Sequence, residues 1–128
     1  MTLELALSLA KRARPGIMSE SEMIFVISSL DKRVKAQVLD LHEGGAAEGF
    51  SGYSVVTPGD TELLIPDSYG EIYVRRIEAE CDYKSGEIER YNNSAALFNE
   101  LWDAFVSYWK LTHRPLGAKG WKLPSGSF

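Results

Sequence analysis

Apolar positions over much of the chain recur at helical spacing. Between Ser19 and Leu41, Met23, Ile27, Leu30, Val34, Val38 and Leu41 fall three or four residues apart. This pattern predicts one continuous apolar face on a helix from about 20 to 43. Ser19-Glu20-Ser21-Glu22 is a capping-box pattern at its start, and Gly44-Gly45 is its expected stop. Asp31, Lys32, Arg33, Lys35 and Asp40 are read as lying mostly off the stripe. Upstream, Leu3, Leu5, Leu7 and Leu9 alternate as a strand would. The Leu, Ala, Glu, Lys and Arg content of Thr2 to Arg14 favours a helix instead, with Leu3, Ala6, Leu7 and Ala10 buried and Pro15-Gly16 ending it.

The pattern changes at 44–66, where five glycines break any helix. Tyr53, Val55 and Val56, then Leu63, Leu64 and Ile65, are strand-like on either side of Thr57-Pro58-Gly59-Asp60. Pro58-Gly59 suits the centre of a type II turn, so this segment is read as a β-hairpin or a long loop. A lone hairpin is marginal in water and needs helices or a second chain to pack on. A third helix follows Pro66, capped by Asp67 or Ser68, and is expected to reach about Tyr91 with Gly86 inside it. Tyr69, Ile72, Tyr73, Ile77, Ala79, Cys81, Tyr83, Ile88 and Tyr91 form its apolar surface. Asn92-Asn93-Ser94 is read as a cap or kink before a fourth helix ending near Thr112. Leu97, Leu101, Phe105, Tyr108 and Trp109 face one way on it, widened by Phe98 and Trp102. Helices three and four then form an antiparallel pair or one kinked rod. The glycines and prolines of 114–128 forbid a helix, yet Leu116, Trp121, Leu123 and Phe128 recur there, as in an extended arm that docks on a surface.

Composition narrows the possible functions. The 128 residues are 45% hydrophobic and 25% charged, which fits one globular domain. A single cysteine, Cys81, excludes an intrachain disulfide and a multi-cysteine zinc site. No run approaches a membrane span, and Lys11, Arg12 and Arg14 follow the first apolar stretch instead of preceding it. Both observations point to a cytoplasmic, reducing origin. Residues 1–103 hold all 18 acids and 10 of the 14 bases, a balance of −8; Lys110, Arg114, Lys119 and Lys122 then give the remainder +4. An acidic body with a basic tail argues against a globally basic nucleic-acid binder.

Candidate chemistry is sparse. His42 and His113 sit near expected helix C-termini, where the dipole favours a histidinium. His42-Glu43 lacks the second histidine of a metalloprotease helix, and the glycines match neither phosphate-binding pattern. Cys81 reads as a buried, inert thiol, and Glu78, Glu80, Asp82, Glu87 and Glu89 as a solvated face or the wall of an acidic channel. The expectation is therefore no catalytic residue, cofactor or metal, and a function carried by surfaces. Tyr69, Tyr73, Tyr83, Tyr91, Trp102, Tyr108 and Trp109 include more aromatics than four short helices can fully hide, and Tyr and Trp are typical interface residues.

The segment Glu87-Ile88-Glu89-Arg90-Tyr91-Asn92-Asn93-Ser94-Ala95-Ala96-Leu97-Phe98-Asn99, the run Pro58 to Pro66 leading into Tyr69 and Tyr73, and Tyr108-Trp109 with Thr112-His113-Arg114-Pro115 resemble small proteins of phage and prophage head-morphogenesis regions. Over about residues 20 to 115 the chain is similar to head–tail connector (adaptor) proteins of long-tailed phages. The resemblance implies a mainly α, four-helix connector-like subunit (1–113) with the hairpin or loop at about 44–66 and an extended C-terminal arm (114–128). It implies a homo-oligomeric ring, commonly dodecameric, at the virion neck, assembled in the bacterial cytoplasm. Its partners would be the portal protein above and a stopper, neck or tail-terminator protein below, with genomic DNA passing through the lumen and no membrane contact. The arm would reach a partner through Arg114, Leu116, Lys119, Trp121, Lys122, Leu123 and Phe128, and the hairpin would contact a neighbouring subunit through Tyr53, Val55, Val56, Leu63, Leu64 and Ile65. Acidic lumen walls that do not grip phosphates fit the acidic body. The alternative is a small non-enzymatic protein-binding or regulatory module of prophage origin.

Overall fold

A computed structural model describes residues 1–45 and 47–116. They form four helices, α1 (Leu3–Ala13), α2 (Glu20–Gln37), α3 (Glu71–Lys84) and α4 (Ile88–Thr112), with short 3-10 turns at Leu39–Leu41 and Asp67–Tyr69. Among the described residues there are isolated β-bridges and no strand. The chain is mainly α, as expected.

The first turn of α1 is fully satisfied. Thr2 Oγ1 accepts from Leu5 N, while Thr61 O and Gly59 O accept from Leu3 N and Glu4 N (2.9 Å each). The loop before α3 thus caps the N-terminal helix. Leu3, Ala6, Leu7 and Ala10 are its buried stripe, as periodicity predicted. On α2 the capping box forms: Glu22 N donates to Ser19 Oγ and Ser19 N to Glu22 Oε1. Met23, Ile27, Leu30, Val34 and Val38 are buried. The helix stops at Gln37, six residues before the expected end, and a 3-10 turn leaves Leu41 exposed. Gly45 is needed for another reason: a Cβ there would collide with the Leu39 carbonyl.

α3 and α4 form an antiparallel pair, shown by the side-chain partners Tyr83–Tyr91, Asp82–Ser94 and Arg76–Phe98. The break between them lies at Ser85–Glu87, not at Asn92–Ser94. Gly86 has φ +73°, the left-handed conformation that ends a helix, and Gly86 N donates to Tyr83 O. The expected interior glycine is therefore a terminator, and Asn92-Asn93-Ser94 lies within the first turns of α4. α3 also begins later than expected, at Glu71, without a side-chain cap from Asp67 or Ser68. The buried face of α4 is Ser94, Phe98, Trp102, Phe105 and Trp109; Leu97 and Tyr108 of the expected face are exposed. Gly86→Ala should cost about 1 kcal/mol, because no neighbour obstructs the methyl group and only the left-handed backbone opposes it. Urea unfolding should show a lower midpoint at unchanged slope.

Of the two readings of 44–66, the loop is the one found. Two successive β-turns replace a hairpin: Thr57 N donates to Ser54 O and Thr61 N to Pro58 O. Pro58 occupies the first turn position, so the expected Pro58-Gly59 centre is displaced by one residue. A hairpin ladder fails because other acceptors take its N–H groups. Tyr53 N donates to Ser28 Oγ (2.9 Å), Leu64 N to Asp31 Oδ2 (3.0 Å), Ile65 N to the Tyr73 hydroxyl (2.8 Å) and Leu63 N to Met1 O (3.0 Å). Side chains of α2 and α3 and the chain's first residues thus stand in for a partner strand.

Candidate functional site

Two polar clusters fix the bundle from inside. Asp31 is 0% exposed, although the charge pattern placed it off the stripe. Its Oδ1 accepts from the Tyr73 hydroxyl and its Oδ2 from the Tyr53 hydroxyl, both at 2.6 Å, in addition to Leu64 N. Burial pushes this carboxyl above the ordinary aspartate range, against the pull of its three donors. Burial and the neighbouring carboxylate likewise push both tyrosine hydroxyls up. The spacing carried a usable signal: Ile27, Asp31, Val34 and Val38 are themselves four, three and four apart.

The second cluster joins α1 to the α3–α4 pair. Arg14 grips Asp82 in two-pronged fashion, Nε to Oδ1 at 2.7 Å and Nη2 to Oδ2 at 3.0 Å, and the Ser94 hydroxyl donates to the same carboxylate. The Arg14 guanidinium holds the Asp82 carboxyl below its usual range. Glu78, also buried, takes Arg75 at 3.0 Å. Two of the acids expected on a solvated face are thus internal. Cys81 is buried, and burial pushes its thiol up, as suits an inert residue.

The surface carries the features available to a partner. A groove of about 660 Å³ runs between α2 and α3, lined by Met18, Phe25, Val26, Leu30, Arg33 and Arg76 among others. Phe25 is 72% exposed at this groove. The Arg33 guanidinium lies 4.2 Å from the Trp102 ring centroid, and Arg76 lies 5.2 Å from that of Phe98. Stacking on α4 therefore holds both cations in place. Arg76 is paired with Glu80 at 2.7 Å, whereas Arg33 has no carboxylate partner among the described residues and donates to Gln37 Oε1 at 3.2 Å. Burial and the Arg76 charge lower the Arg33 pKa. The sequence showed no sign of the groove, because it depends on how α2 and α3 pack side by side.

The expected contact residues separate into distinct environments. Leu63 and Ile65 are in the core, Leu64 is packed against it, and the Tyr53 hydroxyl is engaged by Asp31. Val55 and Val56, by contrast, are 69% and 84% exposed. Where the expected arm would begin, Glu43 N donates to Arg114 O (2.8 Å) and Leu116 N to Leu41 O (2.9 Å), pairing 41–43 with 114–116. Lys119, Trp121, Lys122, Leu123 and Phe128 lie outside the described residues. His42 is buried and its Nδ1–H donates to the Val38 carbonyl at 2.7 Å, while His113 stacks on Trp109 at 3.6 Å. His42 thus caps the 3-10 turn that follows α2, and His113 caps α4. Of the seven aromatics weighed as interface residues, Tyr73, Trp102 and Trp109 are core, Tyr69 and Tyr91 are half-buried, and Tyr83 and Tyr108 are exposed. Among the described residues, no helix is long and apolar enough to cross a membrane. Comparison with known proteins finds no matching family model, no matching curated protein and no matching solved structure.

Proposed function

We propose that this chain is a non-enzymatic structural subunit of the head–tail connector type, whose copies form a ring at the virion neck. In this reading the ring binds the portal on one side and a stopper, neck or tail-terminator protein on the other, and genomic DNA passes through its lumen. The observation that carries it is the set of large apolar side chains held outside a fully formed core. Phe25, Val56 and Leu111 are the most exposed, Leu111 at 86%. They sit on helices or a hydrogen-bonded turn, so little ordering entropy is lost when they are covered. The acidic body and the resemblance over about residues 20 to 115 support the same reading. The backbone pairing of 114–116 with 41–43 gives an arm a fixed root.

The test mixes the purified full chain with a portal protein of a long-tailed phage and examines the mixture by native mass spectrometry and negative-stain microscopy. The expected result is a closed ring bound to the portal. A chain that stays monomeric and forms no co-complex would falsify the connector reading. The α2–α3 groove favours a second reading, a protein-binding module, which instead predicts a complex of one chain with one partner.

A further inference from the structure

We infer that residues 53–65 form a strap that opens as one unit while the four helices stay packed, with the Asp31 carboxylate as the pin that keeps it closed. The inference is independent of the connector reading. Both ends of the segment converge on one atom: Asp31 Oδ2 accepts from the Tyr53 hydroxyl at 2.6 Å and from Leu64 N at 3.0 Å. The chain between them is a compact loop with its ends side by side, the geometry of an Ω-loop. Inside the strap, two β-turns supply the backbone bonds, Thr57 N to Ser54 O and Thr61 N to Pro58 O. Among the described residues its other backbone N–H bonds leave the segment. Tyr53 N donates to Ser28 Oγ, Ile65 N to the Tyr73 hydroxyl and Leu63 N to Met1 O, while Thr61 O and Gly59 O accept from Leu3 N and Glu4 N.

This arrangement differs from a strand in a ladder, which can lose its bonds one by one from either end. Because the two ends share one acceptor, freeing either end loosens the other, and loss of the outside bonds leaves only the two turns. The helices keep their own backbone bonds, and α4 keeps Phe98, Trp102 and Phe105 in the core. All of 54–62 is exposed or half-buried, and only Leu63 and Ile65 of the strap are buried. Opening therefore removes much less apolar burial than unfolding the bundle does. A hinge precedes the strap: Gly49 (φ +81°) and Gly52 (φ +117°) hold backbone conformations that glycine alone takes freely. Opening also uncaps α1, whose first two N–H groups lose their acceptors. It returns Leu63, Leu64 and Ile65 to water with their N–H groups free. The closed strap thus withholds a strand-forming stretch that could otherwise add to the sheet edge of another chain.

The experiment is native-state hydrogen exchange on the isotope-labelled full chain, followed by NMR in increasing urea below the unfolding transition. The N–H groups of Tyr53, Leu63, Leu64 and Ile65, with Leu3 and Glu4, should share one opening equilibrium. Its dependence on urea should be smaller than that of Phe98 and Phe105 in α4, which should exchange only by unfolding of the whole chain. Tyr53→Phe keeps the ring and removes one bond to the pin. With circular dichroism confirming that the variant folds, exchange at Leu64, Ile65, Leu3 and Glu4 should speed up together, roughly tenfold, for the loss of a bond to a carboxylate. The wild-type measurement stands without the variant. Strap N–H groups that follow the α4 groups at the whole-chain urea dependence, or that exchange at unrelated rates, would overturn the strap. A Tyr53→Phe effect that fails to reach Leu3 and Glu4 would overturn it as a single unit.

Discussion

Asp31→Ala should lower the unfolding free energy by about 4 kcal/mol, the largest effect expected from a single substitution in this chain. Removing the carboxylate leaves three donors, the buried Tyr73 hydroxyl and the part-buried Tyr53 hydroxyl and Leu64 N–H, without their acceptor. Each buried unsatisfied group costs about 1–3 kcal/mol, and the lost side chain leaves a small void. Asp31→Asn should cost less, about 2 kcal/mol, since one amide oxygen can still serve Leu64 N–H and Tyr53 while its NH2 faces the Tyr73 hydroxyl. Tyr73→Phe breaks the same network from the other side, and the double variant Asp31→Ala/Tyr73→Phe should lose less than the sum of the two. Urea unfolding followed by circular dichroism checks all three. An Asp31→Ala midpoint within error of the wild type would show that the network contributes nothing. The pH dependence has a definite sign. Because burial raises the folded-state pKa of Asp31, the folded chain binds this proton more tightly than the unfolded chain does. Its contribution is therefore greatest below the ordinary aspartate range and declines as pH rises through the raised value.

Arg14→Met should cost about 3 kcal/mol, on the order of a 10 °C fall in midpoint temperature. The substitution keeps much of the aliphatic stem and removes the charge, leaving the Asp82 carboxylate buried with only the Ser94 hydroxyl. Partial water access to Arg14 places the effect at the low end for a broken buried pair. Here the acid response runs the other way from that of Asp31. In the wild type, the Arg14 hydrogen bonds hold Asp82 below its usual range, so this pair stabilises the fold above the ordinary aspartate pKa. That contribution is lost as pH falls through the ordinary value towards the depressed one. In the variant, protonation relieves an unpaired buried charge. The stability gap between wild type and Arg14→Met should therefore narrow as pH falls below about 4. A gap that stays constant or widens in acid would show that the ion pair is not the source of the effect.

Both predictions concern residues whose importance is set by distant partners. Asp31 meets donors 22, 33 and 42 positions away, and Arg14 meets Asp82 68 positions away. Charge composition marked Asp31 and Asp82 as surface residues, since an acid on a helix is usually solvated. The helical spacing through Ile27, Asp31 and Val34 would have put Asp31 on the inner face, but its charge led the sequence reading to place it off the stripe. Only the arrival of Tyr53 and Tyr73 there, however, makes a buried carboxylate tolerable. The same long-range bonds decide that 53–65 is a loop. Its β-propensity is real, but Ser28, Asp31 and Tyr73 bond its N–H groups before a ladder can form.

By itself, the amino-acid order settled what depends on neighbours one or two turns away: the buried stripe of α1, the Ser19–Glu22 capping box, most of the α2 face and the mainly helical character. These follow from periodicity and from short-range hydrogen bonds, which act before the chain folds on itself. Element ends were less legible, because Gly86 is a terminator only in its left-handed conformation and Asn92–Ser94 can equally continue a helix. Tertiary packing alone decided which acids are internal, which side of α4 faces the core, and that α2 and α3 leave a groove between them with Phe25 at its edge. Those features belong to pairs of elements brought together by burial, and no window of sequence contains both members of such a pair.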